Sequence, residues 1–344
     1  MNKEERGNRF MSAEQLKDTR KHFSKLGLAY LLGLVVIRLV QWLAVVVLQQ
    51  VAPQLLVSYE SSFLCMMIPM YLIGYPIMIL LIRLVPASTE PIEKKKMSVG
   101  KWICAFIMCY ACLYLSNLVG VLITSVIGII KQGAVDNVVL DMTSNISMPT
   151  MILIMVIGAP IAEEIIFRKL LVDRVLPYGE GLAVFMSGIM FGLFHGNMNQ
   201  FVYAFVLGAF LAFIYIRTRK IIYTIAIHMG INLLGSVVAT FILEKSGFME
   251  LYDKLLTTTD EAALMELMIN HAGGLAAYVI YACVLMLVVL LGIVLMVVKR
   301  KSFYLKPVEG ALQKGQRFKA VFLNLGMILF SAYWVYEIIK QLLA

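Results

Sequence analysis

Long, uninterrupted apolar stretches constrain this chain more than any other feature. Apolar residues follow one another in these stretches instead of alternating with polar ones, which predicts helices and argues against strands. A lipid environment favours the same choice, because only helices and closed barrels satisfy their backbone hydrogen bonds there. Nine such segments are present, approximately Leu26–Val51, Phe63–Leu84, Trp102–Ile130, Met151–Val172, Leu182–His195, Phe201–Ile216, Ile221–Leu243, Leu275–Val298 and Val321–Ile339.

The composition indicates a membrane protein. Of the 344 residues, 61% are hydrophobic and 15% are charged, whereas soluble domains average roughly 45–50% and 25%. A core surrounded by water cannot hold so much apolar surface, so a soluble enzyme, a disordered chain and a disulfide scaffold are excluded. We predict an all-α fold, a polytopic transmembrane helical bundle with about eight or nine membrane segments. The fifth and sixth segments are short, so residues 182–216 are a candidate for an incomplete, re-entrant crossing.

Basic residues are distributed unevenly between the loops. If the N-terminus is cytoplasmic, 25 of the 30 Lys and Arg residues fall in cytoplasmic segments and four in outer ones. This asymmetry is typical of membrane proteins. It accounts for the net charge of +9 without nucleic acid as a partner. We therefore expect a multi-pass integral protein, in a bacterial cell membrane, with a cytoplasmic N-terminus and an outer C-terminus.

The charge pattern and the apolar segments divide the chain into five parts. The central part contains most of the ionisable residues that lie within predicted spans, so it is the candidate catalytic core. The parts are a cytoplasmic N-terminal segment (1–25), N-terminal membrane helices (26–149), the core (150–240), an acidic, partly helical outer loop (244–273) and C-terminal membrane helices (274–344).

Three charged residues lie together in the fourth span. Ionisable side chains inside a membrane are costly, so each is a functional candidate. Glu164 and Arg168 are four residues apart and therefore share a helix face on which they can pair. We predict that Arg168 neutralises Glu164 and leaves Glu163 free. A buried carboxylate without its own cation suits a general base.

Two histidines and an asparagine are expected at a similar depth. Glu163 and His195 each lie sixteen residues from Gly179, the centre of a predicted helical hairpin, so an antiparallel arrangement places them side by side. His228 and Asn232 are one turn apart on the seventh span, also near mid-membrane.

Three glycines on the fifth segment would let the helices that carry these groups approach closely. Gly188, Gly192 and Gly196 recur every four residues, a spacing that allows membrane helices to touch backbone to backbone.

These residues form three short motifs, Glu163-Glu164-x-x-x-Arg168, Phe191-x-x-x-His195 and His228-x-x-x-Asn232. Together they resemble the signature of the CPBP (Abi) intramembrane proteases, which include the type II CaaX prenyl endopeptidases. The resemblance covers roughly residues 150–240. It implies a membrane-embedded endopeptidase whose site opens toward the cytosol, with CaaX-type or bacterial peptide or leader substrates. It further implies that Glu163 and His195 activate water, that His228 and Asn232 stabilise the oxyanion, and that Glu164 and Arg168 support them.

The residue chemistry agrees with that assignment, because amide hydrolysis needs an activated water, a proton donor and oxyanion donors. No cofactor is expected. The alternative is a zinc ion held by Glu163, His195 and His228, as in a metalloendopeptidase, although no H-E-x-x-H motif occurs.

Two other functional classes remain as alternatives. One is a non-catalytic membrane protein of bacteriocin immunity or resistance. The other is an ion-coupled transporter that uses the same polar groups as a relay. The partners expected under the peptidase interpretation are the lipid bilayer and a peptide or lipidated-protein substrate.

Overall fold

The computed structural model describes residues 12–87, 93–257, 260–306 and 314–344. All regular elements in these ranges are helical, which confirms the predicted all-α class. The helices are α1 Ala13–Val51, α2 Tyr59–Arg83, α3 Val99–Lys131, α4 Val138–Asn145, α5 Met148–Tyr178, α6 Glu180–Phe194, α7 Met198–Thr218, α8 Ile221–Ser246, α9 Phe248–Thr257, α10 Glu261–Asn270, α11 Ala272–Val298, α12 Lys314–Val321 and α13 Leu325–Leu343.

Seven of these helices, α1, α2, α3, α5, α7, α8 and α11, are long and apolar enough to cross a membrane. The predicted fifth and ninth segments correspond to α6 and α13. Helix α6 has 15 residues and spans only about 22 Å, less than the roughly 30 Å of a hydrocarbon core. The chain is thus a multi-pass membrane protein in which α6 and α7 form a hairpin with one short arm.

The first helix begins before the membrane. Ser12 caps it, since the Ser12 side chain accepts from the backbone N–H of Gln15 and the Gln15 side chain accepts from that of Ser12. Helix α1 then continues without a break past residue 25, where the polar N-terminal segment was predicted to end and the first membrane helix to begin. Residues 1–11 of the predicted N-terminal segment lie outside the described residues.

Gly188 and Gly192 serve the predicted purpose, whereas Gly196 lies beyond the end of α6, has a φ of +65° and contacts the Trp334 ring. A Cβ atom on Gly188 would lie 2.8 Å from the Phe205 carbonyl oxygen, and one on Gly192 would lie 2.9 Å from the Phe201 carbonyl oxygen. Helix α7 is therefore in direct backbone contact with α6. The turn that precedes α6 is centred on Gly179, whose φ of +126° is open to glycine and strained for other residues.

Helix α5 contains two wide π-helical stretches, Ile152–Gly158 and Ile165–Val172, on either side of the paired glutamates. Helices α2 and α8 each contain one more, Met70–Gly74 and Leu233–Val238. In α5 the first stretch ends two residues before Pro160, whose ring would clash with the carbonyl four residues earlier in a regular helix. Wide turns of this kind change the direction of the following side chains and are frequent at functional sites.

Loops meet at two ends of the bundle. At the first, which we call the basic end, the Lys95 N–H donates to the Thr218 carbonyl (2.9 Å), and Arg174 Nε donates to the Val85 carbonyl (2.8 Å). This end contains the described connections 84–87, 93–98, 219–220 and 299–306, the turn at Gly179 and helix α12.

The opposite end, which we call the far end, holds the connections 52–58, 132–147, 247–257 and 260–271 together with the C-terminus. Here Gln341 donates to the Asp136 carbonyl (2.9 Å), and the Ser147 hydroxyl donates to Glu60. The predicted acidic loop contains the helices α9 and α10 and is therefore partly helical, as expected.

Candidate active site

The predicted ion pair of α5 is present. Arg168 Nε lies 3.0 Å from Glu164 Oε2, and both side chains are completely buried. Neither terminal nitrogen of the guanidinium has a hydrogen-bond partner among the described residues. The Phe191 ring lies beneath the cation, with 4.5 Å between the Arg168 Cζ and the ring centroid. The pair is thus held by one carboxylate and one cation–π contact.

His228 connects the two glutamates. Its Nδ1 lies 3.0 Å from Glu164 Oε1, and its Nε2 lies 3.7 Å from Glu163 Oε2. Arg168 thus pairs with Glu164 and not with Glu163, as predicted, while the rotation of α8 turns the His228 imidazole toward Glu163.

The hydrogen bond of His195 defines its tautomer. Its Nδ1 lies 2.8 Å from the Phe191 carbonyl oxygen. A carbonyl only accepts, so Nδ1 carries the proton and Nε2 of the neutral ring keeps a lone pair. That lone pair can accept a proton from water. His195 directly follows α6, and this position places it at the tip of the α6–α7 hairpin.

Asn232 is held by the π-helical part of α5. Its Nδ2 donates to the Met155 carbonyl oxygen at 2.8 Å. The amide has two N–H groups, so one remains for a ligand. Ser236, one turn later, donates to the Asn232 carbonyl. Met155 was not predicted as part of the site, because nothing in the residue pattern shows which carbonyl a π turn leaves available.

Phe191 lies at the centre of the arrangement. Its ring contacts Arg168, stands perpendicular to His195 at a centroid distance of 4.8 Å, and stands perpendicular to His228 at 5.8 Å. The sequence motif Phe191-x-x-x-His195 does not by itself predict a role for the aromatic ring. In the structure it separates the two histidines and supports the guanidinium.

Glu163, His195, His228 and Asn232 line one cavity of about 570 Å³. This volume lies within the range of small-molecule and peptide-side-chain pockets. Glu164 and Arg168 lie behind the wall and do not line it. The remaining lining is largely aromatic and apolar, with Tyr71, Tyr75, Tyr110, Tyr114, Tyr203, Met67, Met70, Met142 and Met155 among its members. The tyrosines at positions 71 and 75, and at 110 and 114, are one turn apart, a spacing that could have identified them from the sequence.

Arg38 is not part of the site. It is the ionisable residue of the first span, but it is exposed on the surface of α1 and does not line the cavity. Its neighbour Gln41 contacts the Met70 sulfur instead.

The donor set does not fit a metal centre of three ligands. Among the described residues, no three His, Cys, Asp or Glu side chains lie close enough together to bind one ion. Both nitrogens of His228 face carboxylates, with Nδ1 toward Glu164 and Nε2 toward Glu163. We therefore derive no step of the chemistry through a metal.

Comparison with known proteins agrees with these motifs. Residues 145–234 match the family model described as type II CAAX prenyl endopeptidase Rce1-like, and this range includes all six candidate site residues. The family resemblance is thereby confirmed. A Bacillus subtilis (strain 168) protein named "Putative membrane peptidase YdiL" is 29% identical over 161 residues.

The match to this relative is partial. The aligned part covers 45% of this chain and 64% of the relative, so the chain spans less than two thirds of the relative's length. No solved structure matches the chain. The similarity therefore relates the central helices of this membrane protein to membrane peptidases.

Proposed function

We propose that this protein is an intramembrane endopeptidase that hydrolyses a peptide bond with a water molecule activated by Glu163 and His195. The observation that carries this proposal is the convergence of Glu163, His195, His228 and Asn232 on one cavity wall inside the bundle. The similarity of residues 145–234 to the Rce1-like peptidases supports it.

The first step is attack by water on the substrate carbonyl carbon. The Glu163 carboxylate and the His195 Nε2 lone pair are the acceptors available at the wall, and one of them takes the proton of the water as the C–O bond forms. The same proton then passes to the leaving amine as the C–N bond breaks. Glu163 is suited to this transfer because its side chain is 14% exposed at the cavity, whereas Glu164 is fully buried.

Negative charge on the tetrahedral intermediate needs hydrogen-bond donors. Asn232 supplies the N–H that Met155 does not use. His228 can supply an Nε2–H when its ring carries both protons, because the Nδ1 hydrogen is engaged by the Glu164 carboxylate. Glu164 and Arg168 act as positioning residues for this state, since the carboxylate holds the His228 ring and Arg168 holds the carboxylate.

The substrate class is a peptide segment that enters a largely apolar, tyrosine-rich cavity. The CaaX-type alternative places a lipidated cysteine in this cavity, and the leader-peptide alternative places an apolar side chain there. We propose that the reaction proceeds without a metal, because the arrangement of the three potential ligands favours a glutamate-activated water.

The test is cleavage of a peptide library by the purified protein in lipid vesicles, with products identified by mass spectrometry. The wild-type protein should give defined products. His195→Ala should give none, while Arg38→Gln, outside the cavity, should give the wild-type pattern. A transporter or a non-catalytic immunity protein would yield no products with any variant, and this result would reject the proposal.

A further inference from the structure

The cavity extends from the middle of the bundle toward one end. Its lining residues on α2 run from Phe63 to Tyr75 and those on α5 from Ile154 to Glu163, which covers the middle of each helix and the part that adjoins the far end. On α3 and α8, which run in the opposite direction, the lining extends from Tyr110 to Val121 and from His228 to Leu243, from the middle of each helix toward its far-end terminus. The candidate catalytic groups therefore form the bottom of a cavity that extends toward the far end.

Packed side chains close the bundle on the other side of these groups. Ile166, Phe167 and Leu171 on α5, and Met186 and Met190 on α6, are all fully buried. The Tyr30 hydroxyl also donates to the Ile166 carbonyl at 2.7 Å and ties α1 into this layer. A peptide cannot reach Glu163 from the basic end without separating these helices.

The mouth of the cavity lies beside α4. Asn137, which caps α4, and Leu140 on its first turn both line the cavity and are exposed. On the facing side, Thr240 and Leu243 of α8 continue the wall to the end of that helix. The entrance is therefore at the far end, next to the 132–147 connection.

The distribution of basic residues orients these two ends. The loops of the basic end include Lys94–Lys96, Arg219, Lys220 and Lys299–Lys301. Basic residues at the far end are few and include Lys245 and Lys254. Lys and Arg accumulate on the cytoplasmic side of membrane proteins, so the mouth faces away from the cytoplasm. The two sequence-based expectations, a cytoplasmic N-terminus and a site open to the cytosol, are therefore incompatible in this structure.

We infer that the site is loaded from the non-cytoplasmic side of the membrane. This inference about the substrate rests on the proposed function. If the site is loaded from that side, the substrate is a polypeptide segment that has already left the cytoplasm, such as an exported peptide or the outer juxtamembrane part of a membrane protein. A chain held in the cytoplasm is not a substrate.

Cysteine accessibility tests the orientation without any turnover. In a background in which the five native cysteines are replaced, single cysteines are introduced as Leu140→Cys at the mouth and Thr240→Cys on the wall. Lys220→Cys reports the basic end, and Lys254→Cys reports the far end. Each variant is exposed to a membrane-impermeant maleimide in sealed right-side-out and in inverted vesicles.

We expect the maleimide to label Leu140→Cys, Thr240→Cys and Lys254→Cys in right-side-out vesicles. Lys220→Cys should be labelled only in inverted vesicles. If Leu140→Cys and Thr240→Cys react in inverted vesicles, alone or as fast as in right-side-out ones, the inference is overturned. A variant that does not reach the membrane is replaced by Leu243→Cys, which reports the same wall.

A second arm distinguishes this inference from the proposed function. An impermeant substrate peptide from the library is added to the outside of wild-type vesicles of each orientation. Cleavage should occur only in the right-side-out preparation, and cleavage only in the inverted one would refute outer access. If no peptide is cleaved in either, the proposed hydrolysis fails, while the labelling pattern still decides on which side the cavity opens.

Discussion

Replacing Glu164 by glutamine should destabilise the protein far more than the loss of an ordinary ion pair. Glu164 and Arg168 have no exposed side-chain surface and lie 3.0 Å apart, and Glu164 also accepts from His228 at 3.0 Å. Glutamine keeps the shape of the side chain but leaves a buried guanidinium without a counter-charge. Breaking a buried pair from one side costs about 3–5 kcal/mol, which corresponds to a melting temperature lower by roughly 6–10 °C.

The matched control is Glu93→Gln, which removes the partner of Lys95. That pair is 3.3 Å apart, but its side chains are 59% and 81% exposed, so the loss should stay below about 1 kcal/mol. Thermal unfolding of both variants in the same detergent gives the comparison.

A double variant, Glu164→Gln with Arg168→Met, checks the cause. It removes both charges and should recover part of the lost stability, because the unpaired cation is gone. Equal melting temperatures for Glu164→Gln and Glu93→Gln would refute the reasoning. So would a double variant whose loss of stability equals the sum of the losses in Glu164→Gln alone and Arg168→Met alone.

Three further predictions concern catalysis and packing. Asn232→Ala should lower kcat by about 10²–10³ with little change in KM, since it removes a donor used in the transition state, and full activity in Asn232→Asp would contradict that role. Gly188→Ala should destabilise the protein by about 1–3 kcal/mol in thermal unfolding, because its Cβ would press on the α7 backbone; Gly100→Ala, which has open space, is the control. Prolonged treatment with a strong chelator should leave peptide cleavage unchanged, and activity lost on chelation and restored by zinc would reverse the proposal of metal-free chemistry.

Local periodicity predicted the parts of the site that depend on one helix or one hairpin. The Glu164–Arg168 pair follows from a spacing of four residues, and it is present. The glycines at 188 and 192 follow from the same periodicity, and they do contact α7. The equal distances of Glu163 and His195 from Gly179 anticipated their common depth, and both line the same cavity.

Features that depend on helix rotation were not predictable. The contact of His228 with both glutamates results from the way α8 packs against α5, next to π-helical turns that no propensity rule placed. Helix α7 begins three residues earlier than its apolar run, because the Asn197 side chain caps it and polar residues form its first turn. The direction in which the cavity opens is a property of the whole bundle, so the spacing of motifs along single helices does not predict it.

Turnover of Glu163→Gln tests the central claim most directly. The variant keeps the size of the side chain and removes the carboxylate that we assign as a base, so folding and substrate binding should persist. A general base contributes about 10²–10⁴ to the rate, and kcat for a cleaved peptide should fall by that factor. Glu60→Gln, a carboxylate at the far end that does not line the cavity, should keep wild-type kcat. Near-normal turnover in purified Glu163→Gln would show that this carboxylate is not the base and would contradict the account.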